Sequence, residues 1–270
     1  MHLGIVAKRG SSRAAAIADQ IRTTVDVQVS IDETTASVLG CDGVEIEDLD
    51  CCDLVVSIGG DGTFLSVAHA VSPTPILGVN LGEVGFLIAV SPEDALSAVE
   101  SEIEAFRSGA AEYVELPRIT ATATDVSLPP AINEVAIVGP RRGRGGGIDV
   151  ETRIDGQLYA GTHGDGILVA TPTGSTAYNL SEGGPLVHPG VSGLVVTEMC
   201  TDDSMPPLVV PPSAKTTIRI DGADAAFVVA DGKKRAAVEP PETLTLRQAG
   251  KPVRIAGPRL DFFTALGKLD

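Results

Sequence analysis

The chain has 270 residues, enough for one large domain or two of ordinary size. Its 36 acidic and 20 basic side chains leave a formal net charge of −16, which excludes general binding to a nucleic-acid backbone, because that needs a basic footprint. Only 3% of residues are aromatic and Trp is absent, so the core must be built from Val, Leu, Ile and Ala.

In chain order, residues 2–7 read as a strand, 12–22 as a helix, and 25–31 and 54–58 as further strands. A helix from about 62 to 69 follows, then a strand at 75–80 and an amphipathic helix at 92–108 with Pro at its start. Strands alternating with helices spell a parallel sheet, so an α/β domain is expected over 1–115. From about Glu112 the chain breaks into short β-rich segments at 118–124, 133–138, 148–154, 167–170, 191–197, 216–220 and 243–247, separated by Gly, Pro or Asp turns. A mostly β domain is expected over 116–256. The tail, 257–270, regains a helical look and is expected to return to the first domain.

Cys41, Cys51, Cys52 and Cys200 show neither a disulfide framework nor paired C-x-x-C metal spacing. The adjacent Cys51 and Cys52 read as the lead into a buried strand, and no metal-ligand set is identified. The opening MHLGIVAKRG has no signal-peptide pattern, and no apolar stretch is long enough to cross a bilayer. A soluble cytoplasmic protein without membrane partners is expected.

Four stretches carry chemistry. GGDGT, residues 59–63, ends an apolar run and opens a helix; its glycines let backbone N–H groups approach negative oxygens at a helix N-terminus, as a phosphate requires. Asp61 does not suit a phosphate, since a carboxylate there is repelled unless it binds a metal or takes a proton from an attacking hydroxyl. The combination suggests phosphoryl transfer; the alternative is a tight turn with Asp as N-cap. GVNLGEVGFL, residues 78–87, supplies Phe86, a ring for stacking or a core anchor, and Asn80, a ligand contact or the start of an Asx-turn. AINEV, residues 131–135, places Asn133 and Glu134 in an apolar strand, a donor and acceptor set matched to vicinal sugar hydroxyls or else a solvent-facing pair. TPTGSTAY, residues 171–178, is rich in hydroxyls and could bracket a purine edge while Tyr178 covers a ring face; the other reading is a polar surface loop.

These stretches in this order, with GGPLVHP at 183–189 and FFTALGKL near the end, resemble the NAD kinase family, also called inorganic polyphosphate/ATP-NAD kinases. The resemblance spans nearly the whole chain. It implies a Rossmann-like α/β N-terminal domain, a β-sandwich-like C-terminal domain that binds NAD with it, and a C-terminal helix packing back on the first domain. It implies a homodimer or homotetramer whose ligands are nucleotides. Asp61 would take the proton from the adenosine ribose 2′-OH, while Gly59, Gly60, Gly62 and Thr63 lie by the donor's phosphates, with ATP or polyphosphate as donor. A divalent Mg²⁺ or Mn²⁺ would offset the donor's charge. Asn133 and Glu134 match the pair that contacts NAD, Asp165 matches an acid near the nicotinamide end with His163 beside it, and Thr176, Ala177, Tyr178 and Ser181 match the adenosine-binding run. Gly62 and Phe86 belong to the same NAD-binding set. Within the cluster Arg141, Arg142 and Arg144, either a hairpin tip or a phosphate contact, Arg144 is the candidate for NAD or donor phosphate.

The chain departs from the family pattern at TDDSMPPL (201–208), ELPRI (115–119) and DGKK (231–234). The altered 201–208 segment motivates a rival reading, an NAD-binding regulatory paralogue without kinase activity. The acid excess over only six Lys has two readings: adaptation to high salt, where screening removes carboxylate repulsion, or an ordinary acidic chain. Salt adaptation predicts an unfolding midpoint that rises from low to multimolar KCl; equal midpoints in both would end that idea.

Overall fold

The computed structural model describes all residues except 83, 84, 125, 144, 202, 204, 260 and 268–270. The chain divides into two compact units, the first made of Met1–Leu116 and Lys251–Asp270, the second of Pro117–Gly250.

The first unit opens with β1 (His2–Ala7), α1 (Ser12–Thr24), β2 (Gln28–Ile31), α2 (Glu33–Leu39), β3 (Leu54–Gly59), α3 (Asp61–Val71), β4 (Ile76–Asn80), α4 (Ala95–Ser108) and β5 (Val114–Leu116). Pairing of β1 with β2 and β3, and of β3 with β4, is parallel. With helices covering the sheet, β3 is buried at all six positions, which is why it reads as an unbroken apolar run and not an alternating one. Its core joins Ile5, Val56, Ile58, Leu77 and Val79 of the sheet to Ile17, Ile21, Val99 and Ile103 of the helices. The helix at 33–39 was absent from the expected pattern. Asp32 caps it by accepting from Thr34 N and Thr35 N, and Gly40 ends it at φ 68.

The second unit contains β6 (Ile119–Ala123), β7 (Val126–Ser127), β8 (Glu134–Val138), β9 (Ile148–Ile154), β10 (Gln157–Gly164), β11 (Gly166–Ala170), α5 (Tyr178–Ser181), β12 (Leu194–Met199), β13 (Leu208–Val210), β14 (Thr216–Asp221), β15 (Ala226–Ala230), β16 (Lys234–Val238) and β17 (Glu242–Gln248). They form two six-stranded sheets, ordered β10-β9-β14-β17-β6-β7 and β13-β12-β11-β8-β15-β16. Ile148, Val150, Ile218, Ile220, Leu244 and Leu246 of one sheet share a core with Val135, Ile137, Ile167, Val169 and Val228 of the other, a sandwich. The second sheet is also covered on its other face, where Leu168, Ala170, Val187, Val195 and Met199 cluster with Tyr178 against them. Accordingly β11 and β12 are buried throughout, whereas β9 and β14 alternate.

The return to the first unit begins at Lys251, not at residue 257. β18 (Val253–Ala256) inserts beside β4, parallel to it and antiparallel to β5, completing the order β2-β1-β3-β4-β18-β5. The last helix, α6 (Phe262–Leu266), follows, capped by Asp261 and packed through Phe262 on Phe86 with ring centroids 6.4 Å apart. Among the described residues, no helix is long and apolar enough to cross a membrane.

Ile218 is fully buried in the sandwich core, so Ile218→Ala should lose about 2–5 kcal/mol in denaturant unfolding, while Val38→Ala at a 63% exposed site should change stability by less than about 0.5 kcal/mol.

Candidate active site

In the first unit, β3 passes into α3 at Gly59 and Gly60. Gly60 is the extended N-cap residue and Asp61 the first helical residue, so the N-terminus of an 11-residue helix lies beside the Asp61 side chain. A Cβ on Gly59 would come within 2.4 Å of Thr63 Oγ1, so that glycine is demanded by packing. Added at Gly60 or Gly62 it would meet nothing within 4 Å; the protein itself asks for no glycine there. The Asp61 carboxylate is held from one side, where Phe86 N donates to Oδ2 at 3.0 Å. Oδ1 is buried and has no hydrogen-bond partner among the described residues. Gly85 makes this fit possible, since a Cβ there would lie 2.2 Å from Oδ1.

A cavity of about 330 Å³ opens at this turn, lined by Lys8, Gly59, Gly60, Asp61, Asn80, Leu81, Gly82 and Gly85. Lys8 was not among the expected site residues. The signal for it was topological: Ala7 is in register with Ile58 on parallel neighbours, so the residue after β1 and the loop after β3 emerge on one edge of the sheet. Asn80 is buried, and its Oδ1 accepts from Gly82 N at 3.2 Å, the Asx-turn of the two expected alternatives. Phe86 is half-buried against Phe262, an anchor that aims its own N–H at Asp61.

In the second unit, Asn133 and Glu134 stand at the start of β8. Asp231, in the turn between β15 and β16, accepts from Ile132 N, Asn133 N and Glu134 N at 2.8, 2.8 and 3.1 Å. The TPTGSTAY run docks on the same strand end, with Thr171 N donating to Asn133 O at 2.8 Å and Thr171 Oγ1 to Ile132 O at 2.6 Å. A Cβ on Gly174 would lie 2.1 Å from Asn133 O, so no larger residue permits this approach.

Glu134 is 5% exposed, and burial, helped by the Asp231 charge, pushes its carboxyl up to about 7 against the pull of a hydrogen bond from the Tyr178 backbone. Its Oε2 is buried without a partner among the described residues. Thr176, Ala177 and Tyr178 are half-buried and Ser181 is exposed, whereas Ser175 and Asn179 are fully buried. Arg142 stacks on Tyr178, its Cζ 5.8 Å from the ring centre. Arg144 lies outside the described residues.

Asp165 and His163 stand elsewhere in this unit. In the β8–β11 pairing Ala170 is opposite Glu134 while Gly166 is opposite Val138, so the Asp165 end is four residues of strand, roughly 13 Å, from Glu134. Asp165 Oδ1 accepts from Gly143 N at 2.7 Å. His163 contacts Asp149 Oδ1 through Nδ1 at 2.7 Å and Gly146 O through Nε2 at 3.0 Å, in a second cavity with Thr162, Arg219 and Asp221. The loop after β8 thus serves both ends, with Arg142 on Tyr178 and Gly143 on Asp165.

Comparison with known proteins assigns this arrangement to a family. Family models described as the ATP-NAD kinase N-terminal and C-terminal domains match residues 3–105 and 132–257. The chain is 58% identical over 270 residues to an NAD kinase of Natronomonas pharaonis and 54% identical over 274 residues to one of Halorubrum lacusprofundi, each match covering all of both chains. Both relatives come from halophilic archaea. A solved Archaeoglobus fulgidus NAD kinase in complex with ATP superposes with a TM-score of 0.81 at 28% identity, covering 100% of this chain and 98% of that one. A yeast NADH kinase complexed with NADH shares the fold at a TM-score of 0.84 and 22% identity, covering 100% and 87%. The chain belongs to the NAD kinase family.

Proposed function

We propose that this protein transfers a phosphoryl group to the 2′-hydroxyl of the adenosine ribose of NAD, making NADP, with ATP or polyphosphate as donor. The observation that carries the reading is Asp61 Oδ1, a buried carboxylate oxygen without a donor among the described residues, set at the head of α3 beside an open cavity. Phe86 N fixes the other oxygen, so the carboxylate is oriented before substrate arrives. Asp61 accepts the hydroxyl proton as the ribose oxygen bonds to phosphorus; the bond from phosphorus to the bridging oxygen breaks, and the donor remnant leaves with that oxygen. The helix N-terminus with Gly59, Gly60, Gly62 and Thr63 receives the donor's phosphates, and Lys8 adds positive charge.

The described cavity lining offers the hard oxygens of Asp61 and Asn80 and neither thiol nor imidazole, a set that fits Mg²⁺ or Mn²⁺. With a single carboxylate in the described lining, such an ion would be held chiefly by phosphate oxygens, and when bound it would neutralise charge on the donor. Asn133 and Glu134 bind ribose hydroxyls, Thr176, Ala177, Tyr178 and Ser181 the adenosine, and Asp165 with His163 the nicotinamide end. Arg144 contacts phosphate. The protein works in the cytoplasm as a homodimer or homotetramer.

Asp61→Asn keeps the shape and the Phe86 contact but removes the base. It should retain NAD binding by calorimetry while turnover falls about 10²–10⁴-fold. Near wild-type NADP formation by this variant, or NAD binding by wild type with no NADP formed under any donor, would overturn the reading.

Glu134 also makes stability depend on pH. Its folded-state value of about 7 exceeds its ordinary 4.5, so between these pH values the folded chain holds the extra proton and stability falls as pH rises. The loss should be on the order of 3 kcal/mol across that window. Denaturant unfolding at pH 4.5 and 7.5 should show Glu134→Gln with a flatter profile than wild type; parallel profiles would contradict the assignment.

A further inference from the structure

Away from the kinase centre, three potential metal ligands from distant parts of the sequence meet in the first unit. The ligand atoms of His2, Cys51 and Cys52 all lie within 4.8 Å of one another. Adjacent residues in a strand would point to opposite faces, but here the 3₁₀ turn Ile46–Cys51 ends between the two cysteines, and Cys52 is already extended at φ −73, ψ 158. The change of backbone at this point is what lets both sulfurs reach one imidazole. The third ligand is held in place independently. His2 N donates to Asp53 Oδ2 at 2.7 Å, Asp53 N returns a bond to His2 O at 2.9 Å, and Ser30 Oγ lies 2.8 Å from His2 Nε2, fixing the ring. Gly4 clears room for the buried sulfur, since a Cβ there would sit 3.3 Å from Cys52 Sγ and 3.0 Å from Val55 Cγ2. Cys51 is exposed, which gives an ion a way in.

We propose that His2, Cys51 and Cys52 form a three-ligand site for a thiophilic transition metal ion of the zinc class, with a fourth position open to solvent. Two sulfurs and one imidazole suit zinc and its neighbours and reject Mg²⁺ and Ca²⁺. Binding forms two metal–sulfur bonds and one metal–nitrogen bond and releases the two thiol protons to solvent. The site ties the start of β1 to the turn before β3. The six residues of β3, about 20 Å, separate it from the GGDGT turn at the strand's other end. Its role is therefore structural.

Reduced, metal-free protein titrated with Co²⁺ should bind one ion per chain with a thiolate-to-cobalt charge-transfer band. One equivalent of Zn²⁺ should abolish the band, and excess Mg²⁺ should not. Cys51→Ser and His2→Ala should each weaken binding by more than about tenfold, while Cys200→Ser leaves it unchanged. Zn²⁺ should raise the unfolding midpoint of wild type but not of Cys51→Ser, and turnover of Cys51→Ser with Mg²⁺ should equal that of wild type. Absence of the band in folded wild type, or an undiminished band in Cys51→Ser, would overturn the proposal.

Discussion

The Asp231 carboxylate organises the second unit's site. It sits in a turn with φ 47 and accepts from three successive backbone N–H groups, those of Ile132, Asn133 and Glu134. Three consecutive donors can converge on one anion only if the chain bends around it, so this contact sets where β8 begins and how Glu134 enters it. Asn133 O is then presented to Thr171 N and to the bare backbone of Gly174. Docking of TPTGSTAY on this strand end is thereby made by backbone and by Thr171, and it uses neither the Asn133 nor the Glu134 side chain. The clamp has an electrostatic consequence as well. Its charge adds to burial in raising the proton affinity of Glu134, so near neutral pH that carboxyl can both donate and accept.

An orphaned polar atom is not by itself a sign of function. Among the described residues Ser57 Oγ, Thr152 Oγ1 and Thr216 Oγ1 are buried without partners too, each a single hydroxyl on a strand. Glu198 likewise has Oε1 buried without a partner among the described residues while Oε2 accepts from Met205 N. Asp61 Oδ1 differs because its carboxylate, held by Phe86 N, lines a cavity at the head of a helix, and Glu134 because it stands where TPTGSTAY docks. An oriented carboxylate with one oxygen unspent costs roughly 1–3 kcal/mol in the free protein, and a substrate hydroxyl is the group that would satisfy it. The neighbouring Ser175 and Asn179 make the contrast. Ser175 Oγ bonds Pro172 O and receives Val187 N, and Asn179 bonds Pro185 O and Thr197 Oγ1. Those two side chains hold the loop; they have nothing left to offer a ligand.

Parallel strands with both faces covered are written as apolar runs, so β1, β3 and β4 were legible from sequence, as were α1 and α4 from their periodicity. The helix at 33–39 was not. ETTASVL is short, carries β-branched residues and has little apolar periodicity, so its helicity depends on the Asp32 cap and the Gly40 stop. GGDGT pointed to the Asp61 turn because its chemistry is local. Lys8 carried no signal in its own segment, and DGKK marked 231–234 only as a departure from the family pattern, not Asp231 as a clamp, since each acts on residues far away in the chain and only sheet register or turn geometry brings it there. His2 with Cys51 and Cys52 is the same case. Metal spacing rules look for ligands a few residues apart, whereas this set is closed by β1 running alongside β3.

The acidity of the chain divides into two physically distinct populations. Of the 36 carboxylates, the described buried ones are Asp32, Glu134, Glu198 and Asp231, and three of these four accept backbone N–H groups through their side-chain oxygens at helix or strand starts or in a loop. Those contacts are short and desolvated, so mobile ions screen them little. The exposed majority repel one another through water, where the Debye length shrinks from about 10 Å at 0.1 M to about 3 Å at 1 M salt. Concentrated salt therefore removes the cost of the acidic surface while leaving the Asp231 clamp and the Asp32 cap intact. A surface this acidic and a site built on carboxylates are compatible because salt acts on the first and scarcely reaches the second.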